Sequence, residues 1–276
     1  MTELNVLLND YGVDPELTFE IRGAIFATRN ELGTGWSEEI YHKGLILELQ
    51  SRGLHVASKP RRTLAHRNVD IHTFEPDILV NDEVILELKV LAYKKQFIGV
   101  HYFQLLNYLK FFGKPLGMLV DFAPTRIQIK RVRLDKLPYG ISEDFSAFQN
   151  KVYREDRNQL WDIVQCIKDI AEQYGVGYSE VIYKHILQLE LEHRGLSCVY
   201  PFDVPVLWKG EQIGEDKVQL LLVNEAYLVH VKSLLHHPTT EDFTCVKTYL
   251  NCLDLKFGLV VNFGRKEIQI NAVDSD

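Results

Sequence analysis

The chain has 276 residues, 46% of them hydrophobic and 25% charged, which are ordinary values for a globular protein. This composition excludes fibrous, largely disordered and disulfide-stapled chains, and no run approaches the roughly 20 apolar residues that span a bilayer. The N-terminal MTELNVLLNDYG lacks the basic and apolar regions of a secretory signal. The four cysteines are scattered without a C-x-x-C pair. We therefore expect a cytoplasmic chain without a cysteine-bound zinc or iron–sulfur site and without a membrane partner.

The net charge of −7 is distributed unevenly along the chain. Residues 1–134 hold 17 Lys and Arg against 16 Asp and Glu, whereas residues 135–276 hold 14 against 22, so the two parts carry +1 and −8. Basic residues cluster in the first part, and such a cluster can bind nucleic-acid phosphates even on an acidic chain. The alternative is solvated surface charge. The candidate phosphate contacts are Lys59, Arg61, Arg62, Arg67, Lys94 and Lys95.

The chain contains two copies of one sequence pattern. Three blocks recur at the nearly constant offsets of 142, 143 and 141: residues 33–54, 77–90 and 108–129 return as 175–196, 220–233 and 249–270. A constant offset over several blocks indicates a tandem duplication. We predict one domain at 1–134, a linker at 135–156 and a second domain at 157–276.

The first copy predicts a mixed sheet between helices. In chain order we expect helices at 17–31 and about 36–52, an extended basic stretch at 54–74, a hairpin turning at 81–83, a helix at about 97–112, and strands at 117–122 and 126–132. Gly53 is a typical residue just beyond a helix C-terminus. This order indicates an α/β sandwich, present twice.

The second strand of the predicted hairpin combines a core face with a polar face. Side chains alternate along a strand, so Ile85, Glu87 and Lys89 lie opposite the apolar face. Folding back at the turn brings Asp77, at the start of the partner strand, close to Glu87. Two carboxylates there suit a hard divalent cation, and a lysine beside it can position a water for phosphodiester hydrolysis. The alternative is an ordinary polar strand face with a Glu–Lys pair.

Two motifs of the first copy resemble a known nuclease superfamily. Pro76-Asp77, nine residues and then Glu87-Leu88-Lys89 resemble the PD-(D/E)xK signature, and Gly35-Trp36-Ser37-Glu38-Glu39-Ile40-Tyr41 is similar to the motif of its GxxExxY family. The resemblance covers about 35–131 and implies restriction-endonuclease-like domains with a Mg²⁺ or Mn²⁺ site. Carried over by position, it implies that Glu38, Asp77 and Glu87 are metal ligands and Lys89 is the catalytic lysine.

A further match lies on the predicted helix that follows the strand. Gln104 and Tyr108 are four residues apart, so they share a helix face. They resemble the Q-x-x-x-Y motif of RecB-like and lambda-exonuclease-like nucleases, which implies that both contact substrate and support the active site. Tyr41 has two interpretations, because it can hold Glu38 in place or simply pack in the core.

The second copy has lost most of these groups. Glu38 corresponds to Glu180, but a leucine and a histidine replace the two carboxylates of the hairpin: Asp77 corresponds to Leu220, Glu87 to His230, Lys89 to Lys232, Gln104 to Cys245 and Tyr108 to Tyr249. We therefore interpret the second copy as a degenerate pseudonuclease repeat. We expect it to pair with the first copy as a pseudo-dimer, and its acidity favours a protein partner over nucleic acid.

The whole sequence favours a divalent-metal-dependent nuclease with one active site in the first copy. By analogy, Q-x-x-x-Y favours DNA over RNA as the partner and exonuclease or end-processing work. One alternative is a non-catalytic nucleic-acid-binding or regulatory protein that keeps the nuclease fold. Another is a protein-interaction module made of two homologous halves.

Overall fold

The structure, a computed structural model, describes residues 12–91, 96–123, 126–134, 139–149, 151–152, 154–234, 236–264 and 267–275. The chain divides into two compact units. The first consists of residues 1–65 and 72–136, and the second of residues 66–71 and 137–276. Each unit contains a mixed sheet with helices, which confirms the predicted tandem α/β architecture.

The three helices and the last two strands of the first repeat begin and end within two residues of their predicted positions, and the extended stretch predicted at 54–74 forms three short strands. In chain order they are α1 (Pro15–Leu32), α2 (Glu38–Ser51), β1 (Val56–Ser58), β2 (Arg62–His66), β3 (Val69–Phe74), β4 (Ile78–Val80), β5 (Val84–Lys89), α3 (Gly99–Phe112), β6 (Leu116–Asp121) and β7 (Gln128–Arg133). The sheet order is β1-β4-β5-β6-β7, while β2 and β3 pair separately. Strands β5 and β6 are parallel, and α3 connects them.

Local sequence explains where the first helices begin and end. The Asp14 side chain accepts a hydrogen bond from the amide of Glu16 (2.9 Å) at the start of α1, where Pro15 has no amide hydrogen to satisfy. The tight turn between α1 and α2 needs left-handed backbone, which Gly33 and Gly35 supply with φ of 73° and 95°. This turn places Glu38 at the first residue of α2.

The two faces of the first sheet are covered by different helices. Apolar residues of α1 and α2 form one core with alternate residues of the strands, among them Leu86 and Leu88. Helix α3 packs closely on β6, because a Cβ added at Gly117 would lie 2.7 Å from the side chain of Leu105. The face of β5 that carries Glu87 and Lys89 is therefore the face opposite the α1–α2 core.

The second repeat has the first repeat's order of elements, preceded by one additional strand and a short 3-10 helix. They are β8 (Gly140–Asp144), a short 3-10 helix (Ser146–Phe148), α4 (Arg154–Tyr174), α5 (Glu180–His193), β9 (Cys198–Val199), β10 (Phe202–Trp208), β11 (Glu211–Val218), β12 (Leu221–Val223), β13 (Tyr227–Lys232), α6 (Thr240–Cys252), β14 (Phe257–Phe263) and β15 (Glu267–Asp274). The sheet order is β8-β15-β14-β13-β12-β9, with β10 and β11 as a separate hairpin.

One strand lies within the segment predicted as a linker. Residues 135–156 include β8, which pairs in parallel with β15 at the sheet edge. All five residues of β8 are exposed. Its sequence therefore lacks the apolar alternation that reveals a half-buried strand.

A shared tyrosine contact confirms that the repeats have the same core. Tyr41 is fully buried, stacks on Phe122 with ring centroids 4.6 Å apart, and donates a hydrogen bond to the carbonyl of Gly33 (2.8 Å). Tyr183 stacks on Phe263 at 3.9 Å and bonds to the equivalent glycine carbonyl. Tyr41 therefore packs and fixes the glycine turn, which decides between its two interpretations.

Among the described residues, no helix combines the length and apolarity needed to cross a membrane.

Candidate active site

The β4–β5 hairpin brings Asp77 to Glu87 as its sequence predicts. Antiparallel pairing places Ile78 opposite Leu86, so the residues just outside this pair are neighbours. The Asp77 carboxylate accepts a hydrogen bond from the amide of Leu88 (2.7 Å). This bond fixes the Asp77 side chain against the strand that carries Glu87.

Glu87 is a buried carboxyl group, and only one of its two oxygens has a hydrogen-bond partner among the described residues. Its side chain is 3% exposed, and one oxygen, Oε1, accepts a 2.6 Å hydrogen bond from Nζ of Lys89. The other oxygen, Oε2, is buried and has no hydrogen-bond partner among the described residues. Burial and the nearby charge of Asp77 raise the pKa of Glu87 to about 7, although Lys89 opposes the shift.

Glu38 and Lys89 complete a cluster of four charged groups. Burial raises the pKa of Glu38 above its ordinary value, Lys89 opposes this, and the charge of Asp77 adds to it. Burial alone would lower the pKa of Lys89, but the carboxylates of Glu87, Glu38 and Asp77 raise it. The Lys89 side chain is therefore a stable ammonium group surrounded by three carboxyl groups.

Helix α3 contributes the two polar residues predicted to share a face. Gln104 Nε2 donates a 3.0 Å hydrogen bond to the hydroxyl of Tyr108. Burial and then the charge of Glu87 raise the pKa of Tyr108 to about 12, so the phenol remains protonated beside the cluster. The structure thus places Gln104 and Tyr108 together at the carboxylate cluster.

The chemistry of these groups fits a hard divalent cation. Oxygen ligands are those that Mg²⁺ and Mn²⁺ prefer, and the unpartnered oxygen of Glu87 is a ready donor. Within the described ranges, no three His, Cys, Asp or Glu side chains are already spaced as a closed metal site. Since Glu87 is turned toward Lys89 and Asp77 toward the amide of Leu88, binding would require these carboxylates to reorient.

Two residues near the site were missed by the sequence analysis. His42 Nε2 forms a 3.0 Å hydrogen bond with the backbone oxygen of Asp77, and its Nδ1 is buried without a partner among the described residues. Its spacing of four residues from Glu38 on α2 was the available signal. Asp121 lies opposite Lys89 on β6 and accepts a hydrogen bond from the amide of Leu91 (3.1 Å). Nothing in the local sequence distinguishes Asp121 from an ordinary strand end.

The predicted phosphate contacts have partners of their own. Three of them lie beside an acidic or aromatic side chain: Lys59 beside Glu39 (2.8 Å), Arg61 beside Glu75 (2.9 Å) and Arg62 over the Phe112 ring (5.0 Å to its centroid). Lys94 and Lys95 lie outside the described residues. Of the two basic residues that pair with glutamates, Arg61 has the more exposed side chain, at 71% compared with 44% for Lys59.

Arg67, another predicted phosphate contact, is engaged by an acidic side chain. Its guanidinium makes two hydrogen bonds, of 2.9 and 3.0 Å, to the carboxylate of Glu190. A bidentate pair with a largely buried carboxylate leaves few free donors for phosphate. The sequence could not reveal this pairing, because the two residues are 123 positions apart.

The equivalent cluster of the second unit has a different composition. His230 occupies the position of Glu87, and its ring lies 3.5 Å from a carboxylate oxygen of Asp242. Leu220, at the position of Asp77, is buried and apolar. Glu180 instead pairs with two ammonium groups, Lys184 at 3.2 Å and Lys232 at 3.6 Å.

Comparison with known proteins identifies the fold of both repeats. The sequence profile described as PD-(D/E)XK nuclease superfamily matches residues 15–132 and again residues 158–273. A solved structure titled "Crystal structure of SSO0001" is 15% identical, covers 44% of this chain and 79% of that chain, and has a TM-score of 0.29. A search of curated proteins finds no match. The profile matches cover well over half of the chain, and the protein therefore belongs to the PD-(D/E)XK nuclease superfamily.

Proposed function

We propose that this protein is a divalent-metal-dependent nuclease that hydrolyses DNA at a single active site in its first repeat. The observation that carries the proposal is the cluster of Glu38, Asp77 and Glu87 around the ammonium group of Lys89. One buried oxygen of Glu87, which has no hydrogen-bond partner in the described part of the chain, supports a cation-binding role for this carboxylate. Holding one buried and two partly buried carboxyl groups beside a single lysine is costly unless a cation joins them.

Mg²⁺ or Mn²⁺ would be held by the oxygens of Glu38, Asp77 and Glu87. The bound cation would supply Lewis acidity at the scissile phosphate. The amide of Leu88 holds one oxygen of Asp77, so this carboxylate would reorient or use its other oxygen to reach the cation. Glu87 and Glu38 provide negative charge in a partly buried setting, where attraction to a cation is strong.

Lys89 would act as a fixed hydrogen-bond donor beside the reacting phosphate. Because the surrounding carboxylates raise its pKa, its Nζ keeps its proton at neutral pH. An ammonium group at that point can orient a water and stabilise charge that develops on a phosphate oxygen. The Gln104–Tyr108 pair on α3 would contact the substrate from the adjacent helix.

The finer identity of the enzyme rests on its motifs. The G-x-x-E-x-x-Y residues support membership of the GxxExxY family, and Q-x-x-x-Y supports DNA and exonuclease or end-processing work. Lys59, Arg61 and Arg62 remain the proposed phosphate contacts among the described residues. Four free thiols support action in the cytoplasm.

We also propose that the second repeat is a pseudonuclease. Its substitutions at Leu220 and His230 remove both hairpin carboxylates. We keep residues 1–134 and 157–276 as the proposed domain limits, with the second domain completing a pseudo-dimer.

A cleavage assay tests the proposal directly. Purified full-length protein would be incubated with single- and double-stranded DNA, in linear and circular form, and with matched RNA, with and without Mn²⁺. We expect metal-dependent cleavage of linear DNA that the Glu87→Gln variant does not perform. Metal-independent binding without cleavage would instead support a non-catalytic nucleic-acid-binding protein.

A further inference from the structure

The two repeats each project a hairpin with the same tip geometry. The β2–β3 hairpin turns at Arg67-Asn68, with φ of 49° and 63°, and the β10–β11 hairpin turns at Lys209-Gly210, with φ of 48° and 88°. Two consecutive positive φ values define the tight turn that closes a two-residue hairpin loop. The turns are 142 residues apart, so the hairpins are equivalent and His66 corresponds to Trp208.

The tip of the first hairpin is docked. Residues 66–71 belong to the second unit, where they meet the helices α4 and α5. His66 lies against Tyr174, with a 2.8 Å hydrogen bond to its hydroxyl, and Arg67 makes its bidentate pair with Glu190. The side chains of His66 and Glu190 are only 5% and 9% exposed. The contact therefore combines a buried ring with a basic–acidic pair.

The tip of the second hairpin is exposed and apolar. Trp208 is 64% exposed, Leu207 59% and Ile213 66%. Three large apolar side chains on one projecting hairpin are unusual for a surface that faces only water. Lys209 lies 5.7 Å from the ring of its own neighbour, Trp208. The tip thus carries a large ring beside a cation, the same kind of pair as His66 and Arg67.

The first unit has the matching receptor positions. Subtracting the offset of 142 from Tyr174 and Glu190 gives Leu32, at the end of α1, and Glu48, on α2. An apolar group therefore replaces the tyrosine, and the carboxylate is retained. The side chain of Glu48 is 30% exposed, compared with 9% for that of Glu190. Its Oε1 pairs with Arg52 at 2.9 Å, and its other oxygen has no ion-pair partner among the described residues.

We propose that the β10–β11 tip docks on the α1–α2 surface of a second copy of this chain. Trp208 packs against Leu32, and Lys209 pairs with Glu48. Trp208 is exposed and Leu32 is partly buried against the core of its unit, so both sides of the proposed contact are apolar. The pairing of a basic with an acidic side chain is also kept. Two copies that dock reciprocally form a closed symmetric dimer. A tryptophan buried at the centre of such a contact is a typical energetic anchor.

Isotope-mixed cross-linking tests the contact. Equal amounts of ¹⁴N and ¹⁵N full-length protein would be mixed, treated with a zero-length carbodiimide and digested for mass spectrometry. We expect a Lys209–Glu48 cross-link in which half of the linked peptides carry mixed isotopes. A link found only between peptides of the same isotope would place both residues in one chain and overturn the proposal. A complete lack of this link would do the same.

Sedimentation velocity over a concentration series supplies the independent readout. We expect a monomer–dimer equilibrium whose dissociation constant rises at least about tenfold in Trp208→Ser. The matched control is Trp161→Ser, which removes another exposed tryptophan of the same unit (57% exposed) and should leave the constant unchanged. Lys209→Glu and Glu48→Lys chains should each dimerise weakly and recover partly when mixed. A wild-type chain that stays monomeric at every concentration, or equal effects of both tryptophan variants, would contradict the dimer.

Discussion

The polar clusters of the two repeats occupy the same place in the same fold but balance their charges in opposite ways. The first contains three carboxyl groups around one lysine: Glu38, Asp77, Glu87 and Lys89. The second contains two carboxylates, two lysines and a histidine: Glu180, Asp242, Lys184, Lys232 and His230. The first cluster therefore has an excess of negative charge, whereas the second is neutral without any ion.

Lys184 makes this difference concrete. Its side chain is 2% exposed and reaches Glu180 at 3.2 Å, at the position that His42 occupies in the first repeat. A buried ammonium group paired with the motif glutamate supplies internally the charge that a divalent cation would supply. The comparison teaches that the motif glutamate is retained in the second repeat with lysines, rather than further carboxylates, beside it.

The largest expected effect comes from removing a carboxylate that only the first cluster has. Glu87→Gln should reduce metal-dependent cleavage by more than about 100-fold, because the amide is a poor ligand and the cation loses its buried charge partner. Initial rates at saturating Mn²⁺ measure the effect. The matched control is His230→Gln, which changes the equivalent residue of the second repeat and should leave the rate within about twofold. Comparable losses of cleavage in Glu87→Gln and His230→Gln would contradict a single active site in the first repeat.

Asp77 requires a conservative substitution. Its carboxylate accepts the Leu88 amide, so Asp77→Ala would leave a buried donor without a partner and cost about 1–3 kcal/mol of stability. Asp77→Asn keeps an acceptor and should lose cleavage without that penalty. Thermal unfolding of the two variants separates the loss of fold from the loss of chemistry.

Lys89→Ala should lower kcat by about 100-fold and change KM little, because its ammonium acts at the reacting phosphate. Lys89→Arg should not restore the rate, since the guanidinium is larger and forked. Steady-state kinetics on one linear DNA substrate give both constants. Lys232→Ala is the control in the second repeat, and it should leave both constants unchanged. A rise of KM alone in Lys89→Ala would make this lysine a phosphate contact.

The two motif glutamates should separate activity from stability. Glu38→Ala should lower cleavage by at least about tenfold, because Glu38 belongs to the proposed cation site. Glu180→Ala should leave cleavage within about twofold but destabilise the protein by about 1–3 kcal/mol, since it strands the buried Lys184. Denaturant unfolding and cleavage rates measured on the same preparations test this. Recovery of stability in the double variant Glu180→Ala/Lys184→Met would show that the unpaired Lys184 causes the loss. An unchanged stability of Glu180→Ala would contradict this explanation.

The smallest expected effect concerns a lysine that only the first repeat has. Burial lowers the pKa of Lys110 to about 7, whereas Asn251 occupies the equivalent position. A folded pKa below the unfolded value of about 10.5 means that protonation favours unfolding, so this contribution raises the free energy of unfolding between pH 7 and 10.5. Lys110→Asn should raise stability at pH 7 by on the order of 1 kcal/mol and flatten that rise. Unfolding curves at pH 7 and 9.5 check the sign.

Much of the site could be predicted because its residues are close in sequence. The hairpin turn brings Asp77 to Glu87 within ten residues, and helical spacing brings Gln104 to Tyr108. Alternation along β5 was enough to assign its two faces. These are local rules of strands and helices, and the structure confirms them.

What could not be predicted depends on distant partners. The pairing of Arg67 with Glu190 spans 123 residues and shows no local signal. Strand β8 has no buried residue, so its sequence resembles a linker. The pairing of Lys184 with Glu180 does follow helical spacing, but the burial of that lysine depends on packing in the folded second unit.

The central claim is that a divalent cation binds in the first repeat and not in the second. Calorimetric titration of Mn²⁺ into the full-length protein, beside Glu87→Gln and Glu180→Ala, tests this most directly. We expect binding in the wild type, the same binding in Glu180→Ala, and none in Glu87→Gln. Binding that persists in Glu87→Gln, or that disappears in a folded Glu180→Ala, would contradict the account.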